Sequence, residues 1–182
     1  MATRHILVEL SNQFQRRTSL SVAIASVGGV DAARRVRAGE KFDVIVLADD
    51  VMQQIEADGF LKSGSRAGFA ESGIAVAVRS GISHPSLVDE AAIKTAVMAA
   101  DSICYSTGPS GTHVLKLLEK WDIDKLMASR LVKAPPGIAV GSLLARGEAQ
   151  LGFQQMSEFI DVPGIEIVGP LPKDAQSVTL FT

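Results

Sequence analysis

Short apolar runs that alternate with helix-period stretches constrain this chain more than any other feature. The runs are "LSVAIAS" (20–26), "FDVIVLA" (42–48), "GIAVAVRSG" (73–81), "SICYS" (102–106), "SRLVKA" (129–134), "LGFQQ" (151–155), "IEIVG" (165–169) and "SVTLF" (177–181). They are β-branched or bounded by turn residues, which predicts strands. Between them, apolar residues recur at helical spacing. Ile6, Leu7, Leu10 and Phe14 predict a helix over 4–16 with Thr3 as its cap. Ala32, Ala33 and Val36 predict one that stops at Gly39, and residues 51–59 one ended by Gly59. Further helices are expected at 89–100, 112–121 and 139–148. Strands alternating with helices imply an α/β protein with mostly parallel sheet. A chain of 182 residues, 47% hydrophobic, suffices for one large domain or two small lobes.

The stretch "YSTGPSGTHVLKLLEKW" (105–121) carries the clearest chemistry. It is a cup of small residues where a strand passes into a helix. A Walker-type phosphate loop needs Lys directly after its last glycine, and here Thr112 and His113 follow Gly111. A dinucleotide fingerprint needs three spaced glycines, and only Gly108 and Gly111 are present. What remains is general: a helix start has unpaired N–H groups and partial positive charge, which suit an anion. Ser106, Thr107, Ser110 and Thr112 add neutral hydroxyl donors. The plainer alternative is that Ser110 or Thr112 simply caps the helix.

Composition excludes several classes. A net charge of −2 gives no broad basic field for nucleic acid, and 5% aromatics give no stacking platform for single strands. No apolar segment approaches the roughly 20 residues of a membrane span. "MATRHILVELSNQF" lacks signal-peptide layout, so the chain read from Met1 on its own implies the cytoplasm. Cys104 is the sole cysteine and is expected as a buried small hydrophobe. His5, His84 and His113 lack the spacing of metal ligands, and no metal or cofactor is expected. Asp49 and Asp50 are expected to cap the helix at Val51. Arg34, Arg35 and Arg37 read as a solvated face, and Arg79 as a candidate partner for a carboxylate. Only Asp49, Asp50 and Glu158 offer proton transfer, so no catalytic residue is assigned. One echo stands out: "RVRAGEKFDVIVLADD" and "LLARGEAQLGFQQMSE" share helix end, Gly-Glu, spacer, apolar run and polar cluster, around Gly39 and Gly147.

Taken in order, "VRAGEKFDVIVLADDVMQQIEADG", "GIAVAVRSG", "YSTGPSGTHVLKLLEKW", "LLARGEAQLGFQQMSE" and "VPGIEIVGPLP" resemble the type 2 periplasmic solute-binding proteins, in their molybdate-binding-like branch. The resemblance implies a two-lobed α/β fold with two hinge-crossing strands and an anion held in the cleft for ABC-type transport. It implies a first lobe at 1–81, a second at 82–176 and a return strand at 177–182. It implies ligand contacts at Ala2 and Thr3, at Ser26, Val27 and Gly28, at Tyr105, Ser106, Gly108, Ser110 and Thr112, and at Gln154, Gln155 and Ser157. It implies a periplasmic location, a membrane permease as partner and no nucleic acid. The family's opening strand would precede Met1 and its closing helices would follow Thr182, which implies truncation at both ends. Edges left open by that loss predict a homodimer. The alternatives are an isomerase of small polycarboxylates on the same fold and a cytoplasmic effector-sensing domain.

Overall fold

A computed structural model describes residues 2–182. The chain forms two compact units. One runs through Glu71 and takes in Leu180–Thr182; the other is Ser72–Thr179.

In the first unit, α1 (Arg4–Thr18) forms where the apolar spacing predicts it. Thr3 occupies the N-cap position, yet its side chain makes no capping bond. No residue of α1 is buried, and Ile6, Leu10 and Phe14 stay more than 40% exposed. The unit's core lies between α2 (Gly29–Arg37) and α3 (Asp49–Ala57), through Ala33, Val36, Leu47, Met52 and Ile55. The strands expected at 20–26 and 42–48 do not form ladders. Backbone pairing defines a strand, and apolar composition alone does not supply a neighbour. Among the described residues, 42–48 pairs only at its end, where Leu47 and Thr182 exchange two 3.0 Å bonds and Ala48 bridges Phe181. Residues 20–26 have no ladder partner among the described residues, and Leu20, Val22 and Ile24 are exposed. Asp49 and Asp50 open α3 as its first-turn residues and do not cap it; Ala48 holds the cap position.

The second unit is built on a mixed sheet. Its strands are β1 (Ala70–Arg79), β2 (Ile103–Tyr105), β3 (Leu131–Lys133), β4 (Leu151–Gln155), β5 (Ile165–Pro170) and β6 (Val178–Phe181). The order is β3-β2-β4-β1-β5, with β6 also on β1. β2 runs parallel to β3 and β4, while β1 runs antiparallel to β4 and β5. Both β1 and β6 include residues of each unit.

Period-two alternation divides β1 between two cores. Ile74, Val76 and Val78 face one layer with Phe153, α4 (Glu90–Ala99) and α5 (Pro109–Lys120). Ala75 and Ala77 face the other with Cys104, α7 (Val140–Ala145) and Phe159. The small β1 residues on that second face leave room for Leu143 and Leu144. Two short helices, α6 (Asp124–Met127) and α8 (Met156–Phe159), were not expected from the sequence. At four residues each they are too short to show a period.

The sequence echo has a structural counterpart. Gly39 and Gly147 both have positive φ, 85° and 73°. After α2, the Gly39 and Glu40 amides donate to Val36 and Arg35 carbonyls. After α7, the Gly147 and Glu148 amides donate to Leu144 and Leu143 in the same pattern. Each is a Schellman stop that needs a left-handed residue.

Candidate functional site

The parallel strands β2 and β4 end side by side, because Tyr105 pairs with Phe153 and Ser106 follows directly. β1 is antiparallel, so its beginning lies at the same sheet edge, with Ile74 opposite Gln155. Open α/β sheets bind ligands beyond the carboxyl ends of their strands. This edge collects Ser72, Ser106, Ser110, Gln155, Ser157 and Thr179.

At its centre is the start of α5. The helix begins at Pro109, three residues before the expected Thr112, with Gly108 as N-cap in extended backbone. Proline suits this first position, where no N–H partner exists anyway. Neither Ser110 nor Thr112 caps the helix, so the capping expectation is corrected. The Thr112 amide donates to the Gly108 carbonyl at 3.1 Å, and its hydroxyl reaches the same oxygen at 3.4 Å. Ser110 is 1% exposed and its Oγ lies 2.9 Å from Ser106 Oγ, which also accepts the Gly108 amide at 3.2 Å. Two hydroxyls carry two protons, and their mutual bond uses one. Whichever serine donates, one O–H remains for a ligand. The Ser110 and Gly111 amides lie in the first turn, where a helix supplies no carbonyl partner. Gly111 is fixed by sterics: a Cβ there would stand 1.7 Å from the Ser106 carbonyl oxygen. The loop thus folds tightly over the helix start.

The two glutamines diverge. Gln154 faces the α7 layer, where its Oε1 accepts the Val140 amide at 3.0 Å and so serves the start of that helix. Gln155, 2% exposed, points to the α5 layer and donates through Nε2 to Thr179 Oγ1 at 2.7 Å. Ser157 and Ser72 hydroxyls meet at 3.3 Å. Burial raises the Glu158 carboxyl above its ordinary value, opposed in part by the Gln154 amide. Tyr105 is 9% exposed at the end of β2.

The remaining expected contacts lie in the first unit. Ala2 is buried with Ala48 and Phe181, Thr3 precedes α1, Ser26 is exposed, Val27 is half-buried and Gly28 is the N-cap of α2. Arg79 ends β1 at the opposite sheet edge, since Val78 pairs with Leu151 at the start of β4. It is therefore away from the α5 start. Asp49 is held by Arg66 at 2.8 Å and Gln53 at 2.7 Å. His84 pairs with Glu166, and His113 contacts the Ala175 carbonyl. Among the described residues, no group of three or more His, Cys, Asp or Glu is placed to hold a metal ion. Cys104 is fully buried, as expected, and burial pushes its thiol up to about 12. A hollow of about 430 Å³ beside Glu90, Lys94 and Trp121 lies at the far end of α5, where Glu90 already binds Lys120 and the Trp121 indole. Ser72 and Thr179 escaped the sequence reading, because only the long-range register of β1 and β6 brings them to this edge.

The whole chain, residues 1–182, matches the family described as bacterial extracellular solute-binding protein. The chain belongs to this family. As a solute-binding family member it is 35% identical over 182 residues to an aconitate isomerase from a Pseudomonas species, an alignment spanning 96% of this chain and 68% of the relative. It is 25% identical to the molybdate-binding protein ModA of Azotobacter vinelandii, over 94% of this chain and 72% of the relative. In three dimensions it resembles the Azotobacter vinelandii periplasmic molybdate-binding protein, with TM-score 0.72 and 26% identity over 98% of this chain and 81% of the other. It shares its fold with the substrate-binding domain of a putative molybdenum ABC transporter from Clostridium difficile, with TM-score 0.70 and 13% identity over 99% and 79%. The α/β class and the solute-binding resemblance read from the sequence are thereby established. Among the described residues, no helix is long and apolar enough to cross a membrane.

Proposed function

We propose that this solute-binding family member captures a small anion at the start of α5 and delivers it to a membrane permease outside the cytoplasm. The Ser106–Ser110 pair carries the reading. It keeps a spare O–H beside first-turn amides, with no Lys or Arg among the expected contact residues. Neutral donors at a helix start bind an anion without an immobilised counter-charge. Hydrogen bonds to a charged ligand are worth about 1.5–3 kcal/mol each. Four or five of them, at the upper end of that range, reach roughly the −8 kcal/mol of micromolar affinity once association costs of about 4 kcal/mol are met.

A second reading has specific support: isomerisation of a small polycarboxylate. The 35% identity to an aconitate isomerase spans nearly the whole chain. Glu158, with its carboxyl raised by burial, follows the sheet edge closely and is a carboxyl group able to exchange a proton with a bound acid. Calorimetry against molybdate, sulfate, succinate, malate and citrate tests the binding reading. Incubation with cis-aconitate followed by proton NMR tests the second. Saturable binding without turnover supports capture, and turnover that Glu158→Gln abolishes supports isomerisation. No binding of any of these anions contradicts both.

A further inference from the structure

We infer that the solute held at the α5 start is a hydroxycarboxylate, and that Gln155 Oε1 accepts its hydroxyl. This deepens the proposed function and rests on it. Gln155 Oε1 is one of two fully buried side-chain polar atoms among the described residues that lack a hydrogen-bond partner. The other, Thr182 Oγ1, belongs to the first unit. Native interiors rarely leave such an acceptor orphaned.

Its direction follows from the strand. Side chains alternate along β4, so Leu151, Phe153 and Gln155 share one face. Leu151 and Phe153 pack in the layer that contains Val114 and Leu117 of α5. Gln155 is the last residue of β4, at the edge where β2 hands the chain to Ser106 and α5 begins. The amide is held by its Nε2, which donates to Thr179 Oγ1, so Oε1 is the end left over.

The chemistry then discriminates between anions. The first-turn amides and the spare serine O–H are donors and take a carboxylate oxygen. Gln155 Oε1 is an acceptor, and an ionised oxygen placed against it is repelled. A fully ionised tetrahedral oxyanion or an unsubstituted dicarboxylate offers it nothing. A carboxylate bearing an alcohol supplies both halves of the match. Sites built to hydrogen-bond a substrate hydroxyl discriminate against analogues that lack it.

Calorimetry of the full chain at pH 7.5 with matched pairs tests this. L-malate differs from succinate, and citrate from tricarballylate, by one hydroxyl. Malate and citrate are expected to bind about tenfold or more tightly than their partners. Molybdate and cis-aconitate, which have no alcohol, are expected to follow the weaker members. In Gln155→Leu or the longer, more nearly isosteric Gln155→Met, the ratio within each pair is expected to fall to about one. Equal affinities within each pair in the unaltered protein overturn the inference and leave the proposed function standing. So does a preference that survives both substitutions. If none of the anions binds, the proposed function fails and takes this inference with it.

Discussion

Substituting Gly111 separates two opposing effects cleanly. Ala is the better helix former by about 1 kcal/mol, so Gly→Ala inside an unhindered helix stabilises. At Gly111 the new methyl would stand 1.7 Å from the Ser106 carbonyl oxygen, 2.8 Å from its carbon and 3.1 Å from Tyr105 Cδ2. Ordinary contact begins near 3.4 Å, so a backbone segment has to retreat by about that shortfall of 1.7 Å. Overpacking costs about 1–3 kcal/mol, and a backbone obstacle puts this site at the upper end. The net expectation is a loss of about 2 kcal/mol. Trp121, the sole tryptophan, caps the far end of the same helix and reports its unfolding. With a urea slope of about 1–3 kcal/mol/M, the fluorescence midpoint of Gly111→Ala falls by about 1 M. Gly108→Ala is the control, because its Cβ meets Ser106 Oγ at an ordinary 3.7 Å and its backbone is extended. Its cost stays within about 1 kcal/mol. A Gly111→Ala midpoint at or above the unaltered protein's would refute the close approach of loop and helix.

Three further outcomes follow from the same physical picture. Cys104, with its thiol pushed up to about 12 in the core, should resist thiol reagents at pH 8 and react fully in urea; rapid labelling of the folded chain contradicts its burial. The Gly81 amide and then His84 hold the Glu166 carboxyl below its ordinary 4.5. A carboxylate depressed in the folded state adds stability above its unfolded value and loses it as pH falls through the folded one, so Glu166→Gln should flatten the stability decline between about pH 5 and 3. An unchanged acid limb would count against that bond. Finally, the unpaired run 20–26, with Leu20, Val22 and Ile24 exposed, should drive concentration-dependent association seen by light scattering and reduced by Val22→Lys with Ile24→Lys. A single monomer mass at every concentration refutes this.

The fold and the site were legible to different depths. Local signals carried well: "LGFQQ" is β4 residue for residue, and Gly39 and Gly147 stop their helices by the same bonds. Those two segments also show where sequence stops. The apolar runs after each glycine look alike, yet 151–155 lies between β2 and β1 while, among the described residues, 42–48 pairs only at its end. A pairing partner is a tertiary fact that composition does not contain. The start of α5 was misplaced by three residues, because Pro109 reads as a breaker unless it is recognised as a first helical residue. That shift removed Ser110 from the cap and turned it onto Ser106. Gln154 and Gln155, equivalent in the sequence, were separated by alternation: one holds α7 and the other keeps a buried acceptor.

The central claim is that the Ser106–Ser110 pair at the start of α5 holds a small anion. Calorimetry of the unaltered chain and of Ser106→Ala with Ser110→Ala, against the same carboxylates, tests it most directly, with the Trp121 unfolding midpoint measured alongside. The account predicts saturable binding that weakens by about tenfold or more in the double variant, from loss of the one free O–H and the ordering of the loop. The unfolding midpoint should shift by less than that of Gly111→Ala. Full affinity in a folded double variant would contradict it.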